Sequence, residues 1–445
     1  MSDHEALMWA LEDDPVLRSS FANLTLTDQP VDIARLRTRM TTSVEVIRRL
    51  RQRVVEPPGA MPPRWEDDPL FDIDFHVRHV ALPSPGTDRQ VLDLAALLAT
   101  DPFDRARPLW QMVVIDGLEG GRGALLTRFH HTIVDGEGGV RVSAQFLDLE
   151  RDATKALAVE TEDEVEHAGF SPLDAMRKPL EFARRVAEEA VVTVANPLGA
   201  PARAGEAVER ARSVLRHVAV TDSARSPLWT ERSLRRQLEP LSLPVEAVRE
   251  AARRLGGSVN DLFVTGAVAA AGAYHRAKGV EVDELRMAMP ISTRSAGNDE
   301  SNAFSPSRML VPVGDMDAVE RFKAVQARIA ATRAESGVHL APAMAGLLNA
   351  LPSALLLKVA RQQVGTVDFT TSNVRGAPFE LYVAGAKLHG NVPLGPMAGT
   401  AFNLTTLSMG DRLDMGLVCD LAAVDEPALL RECLENAYQE LLAVS

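Results

Sequence analysis

HHTIVDG, the stretch His130–Gly136, places two adjacent imidazoles ahead of a short apolar run and an Asp-Gly turn. The residues before it, Ala124–Phe129, read as a half-buried strand, and the glycine-rich residues after it lead into a helix-like stretch, Val140–Leu149. The stretch is therefore predicted to occupy the loop between a strand and a helix, in a region where strand-like and helical segments alternate.

The two histidines make this loop the first candidate for a catalytic site. Imidazole is the side chain best suited to accept a proton near neutral pH, because its unperturbed pKa is about 6.5. The alternative is a pair of core histidines beside an ordinary turn, since Asp before Gly is common turn chemistry. Spacing alone does not rank His130 and His131. Asp135 is predicted to be structural, a buried carboxylate paired with an arginine.

Composition bounds the class of protein. A chain of 445 residues exceeds the size of one compact core, which favours two domains. A net charge of −13 argues against nucleic acid as a partner, because phosphate binding requires a basic surface. The two cysteines, Cys419 and Cys433, form no metal-ligand pattern and suit a reduced, cytoplasmic protein. Residues 1–5 lack the basic and apolar build of a signal peptide.

Two segments bear on membrane contact. Leu340–Leu357 contains no charged residue, but Pro342, Asn349 and Pro352 interrupt it and favour two short buried or interfacial helices over a spanning one. Ile33–Val55 is predicted to be an arginine-rich helix. We interpret its arginines as a solvated face, with attraction to anionic lipid as the alternative.

The chain is predicted to divide into three parts. Residues 1–159 form an α/β domain that carries the histidine loop, residues 160–225 form a helical connector, and residues 226–445 form a second α/β domain. Within the connector, two helices are predicted at Leu173–Val194 and Glu206–Val218.

The second half adds polar candidates. Ser258-Val259-Asn260-Asp261 opens an apolar helix, Leu262–Tyr274, and the spacing of Ser258 and Asp261 favours a capping box over a functional site. Thr371–Gly376 is predicted to be a polar turn. Its hydroxyl and amide groups are candidates for stabilising an oxyanion, although turn chemistry explains them equally well.

Met289–Arg294 is predicted to be a strand that ends in an arginine, which makes Arg294 a candidate partner for Asp135. The chain has no phosphate-binding or dinucleotide-binding glycine loop, no zinc-protease motif and no Gly-x-Ser-x-Gly elbow.

The order and content of several segments resemble the bacterial wax ester synthase/diacylglycerol acyltransferase family, within the superfamily of CoA-dependent acyltransferases. The segments are Trp65 with Phe71–Arg78, then Arg107–Trp110, His130–Gly136, Asn260-Asp261, Pro290–Arg294 and Thr371–Gly376. The chain departs from the family pattern at Arg375, where the family usually has proline, and at residues 4–7, which lack the usual aspartate.

This resemblance implies a fold and a reaction. The fold is α/β, with two chloramphenicol-acetyltransferase-like domains, each a mixed sheet flanked by helices, that face one another across a central tunnel. The reaction moves a long-chain acyl group from acyl-CoA to a diacylglycerol or a long-chain alcohol, giving triacylglycerol or wax ester. No cofactor is expected beyond the coenzyme A thioester, which is a substrate. The protein is expected in the cytoplasm, in peripheral contact with the inner membrane or lipid inclusions.

The resemblance also implies residue roles. His131 is the general base of a ternary complex, and His130 buttresses it within the loop that ends at Gly136. Asp135 pairs with Arg294 to fix the loop, and Trp110 packs behind it. The supporting residues of the second half are Asn260, Asp261, Ser372 and Asn373, of which Asn260 and Ser372, with backbone amides, are candidate oxyanion donors.

Two other classes of function stay open. The chain could be a condensation-type acyltransferase that takes its acyl group from a carrier protein. It could also be a non-catalytic homologue that binds lipid droplets, although the intact histidine loop argues against this reading.

Overall fold

The computed structural model describes residues 1–57, 63–134, 136–153, 226–292, 304–336 and 353–444. The predicted connector helices, Asp135 and Arg294 lie outside the described residues, as does most of Leu340–Leu357.

Both halves of the chain contain strands and helices. The strands are β1 (Ser20–Thr27), β2 (Gln52–Val55), β3 (Arg64–Asp67), β4 (Val77–Ala81), β5 (Trp110–Asp116), β6 (Gly123–His130), β7 (Leu147–Asp148), β8 (Arg236–Pro244), β9 (Glu284–Ser292), β10 (Phe304–Pro312), β11 (Phe369–Val374), β12 (Tyr382–Val383), β13 (Ala386–Leu394), β14 (Phe402–Met409) and β15 (Arg412–Asp420). The helices are α1 (Asp3–Leu11), α2 (Ile33–Val46), α3 (Ile73–His76), α4 (Asp88–Thr100), α5 (Gly136–Ser143), α6 (Val245–Arg254), α7 (Val259–Ala277), α8 (Ala318–Ser336), α9 (Ser353–Val364) and α10 (Pro427–Ala443).

The first sheet carries the histidine loop and has the strand order β4-β5-β6-β1-β13-β12-β7. Its strands pair antiparallel except for β4 and β5, which are parallel. Strands β12 and β13 belong to the second half of the chain, and β13 lies directly beside β1, with Ala22 opposite Leu394. The predicted domain boundaries stay a prediction, but the sheet that holds the histidines draws strands from both sides of the connector.

The second sheet has the order β10-β9-β11-β14-β15-β8, and β11 is parallel to both of its neighbours. Helices α6, α7, α8 and α10 contribute buried side chains to the core that covers it, which includes Phe263, Tyr274 and Tyr438. Each large sheet therefore mixes parallel and antiparallel pairs and packs against helices, which confirms the predicted α/β class.

The two sheets meet where β13 crosses β15. A Cβ atom at Gly416 would lie 1.9 Å from the carbonyl oxygen of Pro393, so only glycine permits this approach of the two backbones. Nearby, Asn391 of β13 donates its backbone N–H to the buried carboxylate of Asp414 of β15 at 2.9 Å. The crossover thus ties the first sheet to the second by close packing and by a buried hydrogen bond.

Several predicted elements need correction. Strand β6 was expected to be half-buried, yet every residue of it is buried, because it lies between β5 and β1 with both of its faces covered. The expected turn at Thr371–Gly376 is wrong, since Phe369–Val374 forms strand β11. Thr371 is fully buried there, and parallel pairing on both sides overrides the turn preference of the polar residues.

The predicted helix over Ile33–Val55 is too long. Helix α2 ends at Val46 because Ile47 leaves helical geometry, with φ −101° and ψ 89°, and the chain continues into a short 3₁₀ turn and strand β2.

The arginines of α2 include two that are not part of a solvated face. Arg35 and Arg39 both donate to the carboxylate of Asp148, at 2.9 and 2.8 Å, and this carboxylate is fully buried. A buried aspartate between two guanidinium groups fixes β7 against α2.

The structure describes only the end of the uncharged segment Leu340–Leu357, which lies in helix α9. Within the described residues, no helix combines the length and the apolar character that a membrane crossing requires.

Candidate active site

Strand β6 delivers the histidine loop to one end of the first sheet. Its last residue, His130, donates its backbone N–H to the carbonyl oxygen of Leu109 at 3.0 Å, and the ring of His130 is fully buried. The chain then turns, with the N–H of Ile133 donated to the carbonyl of His130 at 2.9 Å. The loop therefore begins from a rigid strand end, which fixes where the next residue can lie.

Hydrogen bonds on both ring nitrogens determine the tautomer of His130. The backbone N–H of Thr132 donates to Nδ1 at 3.1 Å, and the Thr132 hydroxyl lies 2.8 Å from the same atom. Because Nδ1 accepts, the proton of the neutral ring is on Nε2, which donates to the Oε2 atom of Glu12 at 2.8 Å. His130 is therefore held as a donor to a carboxylate, and its lone pair is occupied.

Glu12 contacts His130 in the candidate site, and sequence analysis did not single it out. It caps the C-terminal end of α1 and is only 7% exposed. Its Oε2 atom also accepts the backbone N–H of Ser19 at 3.2 Å, while its Oε1 atom lies 3.9 Å from the Nε atom of Arg18. No local pattern marks this residue, because its contact with His130 joins positions 118 apart in the chain.

His131 differs from its neighbour in its surroundings. Its side chain is half-buried rather than buried, and its ring lies 4.7 Å from the ring of Phe21, measured between centroids. Its backbone N–H donates to the carbonyl oxygen of Ser19 at 3.1 Å. A partly exposed imidazole with a fixed backbone and a ring packed against an aromatic side chain is suited to exchange protons with a bound molecule.

Trp110 lies on β5 opposite Phe129, the residue before His130. It is 1% exposed, donates its indole N–H to the carbonyl of Leu50 at 2.6 Å, and stacks on the ring of His76 at 4.5 Å. His76 in turn donates from Nδ1 to the Trp110 carbonyl at 2.8 Å. Burial lowers the pKa of His76 to about 4, so this ring is neutral at physiological pH.

A buried cation lies two residues before His130 on the same strand. Arg128 donates to the side-chain oxygen of Gln111 at 3.1 Å and to the carbonyl of Asp101, and its guanidinium lies over the ring of Phe103. Burial lowers the pKa of Arg128 to about 10, which the charges of Asp101 and Glu12 oppose. The end of the sheet that carries the histidines therefore holds a buried cation as well as the buried carboxylate of Glu12.

The polar residues of the second half form their own group at the start of α7. Asn373 of β11 donates its side-chain N–H to the Oδ1 atom of Asn260 at 3.3 Å, and the amide nitrogen of Asn260 lies 3.8 Å from the sulfur of Met289. Asp261 and Ser258 form the predicted capping box, in which each side chain binds the other residue's backbone N–H. The side chain of Ser372 is half-buried on the same strand as Asn373.

These contacts keep the predicted site residues in two groups. His130, His131 and Trp110 belong to the first, and Gly136 begins helix α5 directly after the loop. Asp135 and Arg294 lie outside the described residues, so their pairing stays a prediction. No three His, Cys, Asp or Glu side chains in the described part of the chain converge as metal ligands would.

A small cavity of about 80 Å³ lies at the histidine end of the first sheet. Arg18, Ser20 and Phe21 line it from the first half of the chain, and residues 394–398 line it from the second half. Because Ser20 pairs with His130 across the sheet, this junction of the two halves adjoins the histidine loop.

Solved structures show the same fold over almost the whole of this chain. A wax ester synthase/diacylglycerol acyltransferase from Marinobacter aquaeolei VT8 superposes with a TM-score of 0.67 at 21% identity, over 99% of this chain and 98% of that chain. The first condensation domain of the calcium-dependent antibiotic synthetase superposes with a TM-score of 0.59 at 16% identity, over 99% and 96%.

Sequence comparison identifies the family. The wax ester synthase/diacylglycerol acyltransferase catalytic domain matches residues 1–263, and the C-terminal domain of the same family matches residues 301–442. The chain therefore belongs to this family of acyltransferases, as the sequence motifs predict. A putative diacylglycerol O-acyltransferase of Mycobacterium tuberculosis (strain H37Rv) is 34% identical over 99% of this chain and 91% of that protein. A protein from the same strain that is named a probable diacylglycerol O-acyltransferase is 28% identical over 94% of this chain and 89% of that protein.

Proposed function

We propose that this acyltransferase moves a long-chain acyl group from acyl-CoA to a diacylglycerol or a long-chain alcohol, with His131 as the general base. The observation that carries the proposal is the division between the two histidines. His130 donates one nitrogen to Glu12 and accepts at the other, so its lone pair is already used. His131 is the partly exposed imidazole of the loop, and it follows directly on the rigid end of β6.

The reaction proceeds by direct attack in a ternary complex. An alcohol is a poor nucleophile until a base removes its proton during attack. His131 takes that proton as the hydroxyl oxygen bonds to the thioester carbonyl carbon. The tetrahedral intermediate then collapses, the carbon–sulfur bond breaks, and the imidazolium returns the proton to the coenzyme A thiolate. The products are the ester and free coenzyme A, and no acyl group is held on the protein.

The oxyanion of the intermediate requires hydrogen-bond donors. We assign this role to Asn260 and Ser372, with Asn373 holding the side chain of Asn260 through the 3.3 Å hydrogen bond. Asn260 lies in the first turn of α7, where the unpaired N–H groups and the helix dipole favour negative charge. We propose that Asp135 pairs with Arg294 and that this contact fixes the loop.

The family and its named members support the proposed acceptor class. The similar mycobacterial proteins are named as diacylglycerol O-acyltransferases, and the Marinobacter protein is named as both a wax ester synthase and a diacylglycerol acyltransferase. We therefore propose both a diacylglycerol and a long-chain alcohol as acceptors, met in peripheral contact with a membrane or a lipid inclusion.

The test is thiol release from palmitoyl-CoA by the purified protein, with hexadecanol or a diacylglycerol as the acceptor and with no acceptor. We expect release that depends on the acceptor, together with the matching ester by chromatography. An acyl group loaded on a phosphopantetheinylated carrier protein is the comparison donor. Transfer from the carrier alone would replace the proposal with a condensation-type reaction, and no transfer from either donor would contradict it.

A further inference from the structure

We infer that Glu12 is a positioning residue for His131, acting through His130 and Ser19; the inference rests on the proposed function of His131. The carboxylate of Glu12 accepts one hydrogen bond from the side chain of His130 and another from the backbone N–H of Ser19. His130 precedes His131 in the chain, and the carbonyl of Ser19 accepts the backbone N–H of His131.

The first connection runs through His130. The Nε2 atom of His130 donates to Glu12 at 2.8 Å, and the two side chains are 0% and 6% exposed. Because the contact is shielded from water, removal of the Glu12 carboxylate leaves the imidazole N–H without a hydrogen-bond acceptor. The ring of His130 and the backbone of the loop that follows it therefore depend on the position of Glu12.

The second connection runs through Ser19. The same oxygen atom of Glu12 accepts the N–H of Ser19 at 3.2 Å, and the carbonyl of Ser19 accepts the N–H of His131 at 3.1 Å. One carboxylate oxygen thus fixes the residue before His131 and the strand residue that holds its backbone. Glu12 therefore holds His131 indirectly, through His130 on one side and through Ser19 on the other.

Glu12 itself lies on a rigid support. Two residues later, Asp14 accepts the backbone N–H of Val16 at 3.0 Å and the guanidinium of Arg361, which reaches it from α9 in the second half. The side chain of Asp14 is 3% exposed. The turn between α1 and β1 is therefore held from both halves of the chain, and Glu12 is presented at its start.

The charge arrangement argues that Glu12 does more than stabilise the fold. A buried carboxylate is stabilised most by a cation at hydrogen-bond distance. The Nε atom of Arg18 lies 3.9 Å from Oε1, while the imidazole of His130, which accepts a hydrogen bond at Nδ1, occupies the close position at 2.8 Å from Oε2. Groups arranged against the best local stability are typical of functional sites.

The test compares three variants in the acyl-transfer assay. Glu12→Ala removes the acceptor, Glu12→Gln keeps an oxygen that can accept both N–H groups, and Asp13→Asn is the matched control, an exposed acid one residue later. We expect Glu12→Ala to lower kcat about 100-fold with KM unchanged, because a catalytic group displaced by about 1 Å costs that much. Glu12→Gln should recover most of the activity, and Asp13→Asn should match the wild type.

A double variant separates positioning from loss of folding. If Glu12 acts through His130, Glu12→Ala should cost much less in a His130→Gln background than in the wild type. Each rate is normalised to the folded fraction from a thermal melt. Equal costs in the two backgrounds, a kcat of Glu12→Ala close to wild type, or a loss confined to KM would each overturn the inference.

The tautomer of His130 gives a readout without substrate. In protein with ¹⁵N-labelled histidine, long-range proton–nitrogen correlations should show His130 with its proton on Nε2 in the wild type and in Glu12→Gln. A proton on Nδ1 in the wild type would overturn the inference. Absence of acyl transfer by the wild type, with the Nε2 tautomer present, would instead contradict the proposed function.

Discussion

In the described part of the chain, two regions contain a buried histidine that is hydrogen-bonded to a hydroxyl side chain, and one of these regions adjoins the candidate site. In the first, His130 bonds with Thr132 and Glu12 at the end of β6. In the second, the hydroxyl of Ser226 lies 2.6 Å from Nε2 of His275 on helix α7, while Nδ1 donates to the carbonyl of Ala271 at 2.7 Å.

The second region has the residue types of a catalytic dyad, but a substrate cannot reach them. Ser226 is 1% exposed and His275 is fully buried. The Ser226 oxygen also accepts the backbone N–H groups of Leu228 and Trp229, at 3.2 and 3.1 Å. Burial lowers the pKa of His275, which keeps the ring neutral. These contacts anchor the start of the second half of the chain on α7.

The difference lies in the neighbour of each histidine. His130 is as buried as His275, but its rigid contacts hold the half-buried His131 at the next position. A histidine and a hydroxyl at bonding distance are therefore weak signs of a catalytic site. A fixed ring beside a second, accessible ring is a stronger sign.

The largest expected effect concerns His131, the proposed base. His131→Ala should lower kcat by about two to four orders of magnitude, the usual contribution of a positioned base, with little change in the thermal melt. His389→Ala, which changes an exposed histidine on β13, is the matched control and should keep full activity. If the kcat of His131→Ala stayed within a few-fold of the control, His131 would not be the general base.

The next effect concerns His76, a buried histidine with a structural role. Its pKa of about 4 in the folded protein lies below the unfolded value of about 6.5, so the unfolded chain binds the proton first. Stability should therefore fall as the pH drops from about 6.5 to about 4, by about 3 kcal/mol from this group.

Denaturant unfolding at several pH values measures this dependence. His76→Phe should show a shallower fall in the free energy of unfolding, although His4 and His275, whose pKa values burial also lowers, leave part of the slope. The same slope in both proteins would mean that His76 is not neutral in the folded state.

Ser226→Ala tests the second region directly. The variant removes the hydrogen bond to His275 and leaves a buried ring nitrogen unpaired, so the free energy of unfolding should fall by about 1–3 kcal/mol. The rate of acyl transfer per folded molecule should not change. A loss of kcat comparable to that of His131→Ala, at unchanged stability, would show that Ser226 and His275 take part in catalysis.

The smallest effect belongs to the capping box at the start of α7. Ser258→Ala should lower the free energy of unfolding by about 1 kcal/mol, because the side chain caps the first turn of the helix. KM and kcat should stay close to wild type. A large loss of activity with unchanged stability would place Ser258, and not only Asn260, in the acyltransferase site.

Local features of the fold were readable in the sequence, and contacts between distant residues were not. The strand before His130 and the capping box of Ser258 and Asp261 follow from spacing within a few residues. Strand β11 was mistaken for a turn because its threonine, serine and asparagine side chains are polar. Its pairing with β9 and β14 depends on residues far along the chain.

The candidate site shows the same limit. His130, His131 and Trp110 stand in short local motifs, but neither Glu12 nor the crossover strand β13 carries a local signal. Glu12 reaches His130 only because the turn after α1 lies against the end of β6. Strand β13 joins the first sheet only because the chain returns from the second.

Chemical rescue by imidazole tests most directly the claim that His131 is the base and His130 its support. We expect added imidazole to restore part of the acyl transfer in His131→Ala, because the small base can enter the space that the side chain leaves. It should restore none in His130→Ala, where a buried support is lost. Rescue of His130→Ala without rescue of His131→Ala would contradict the account.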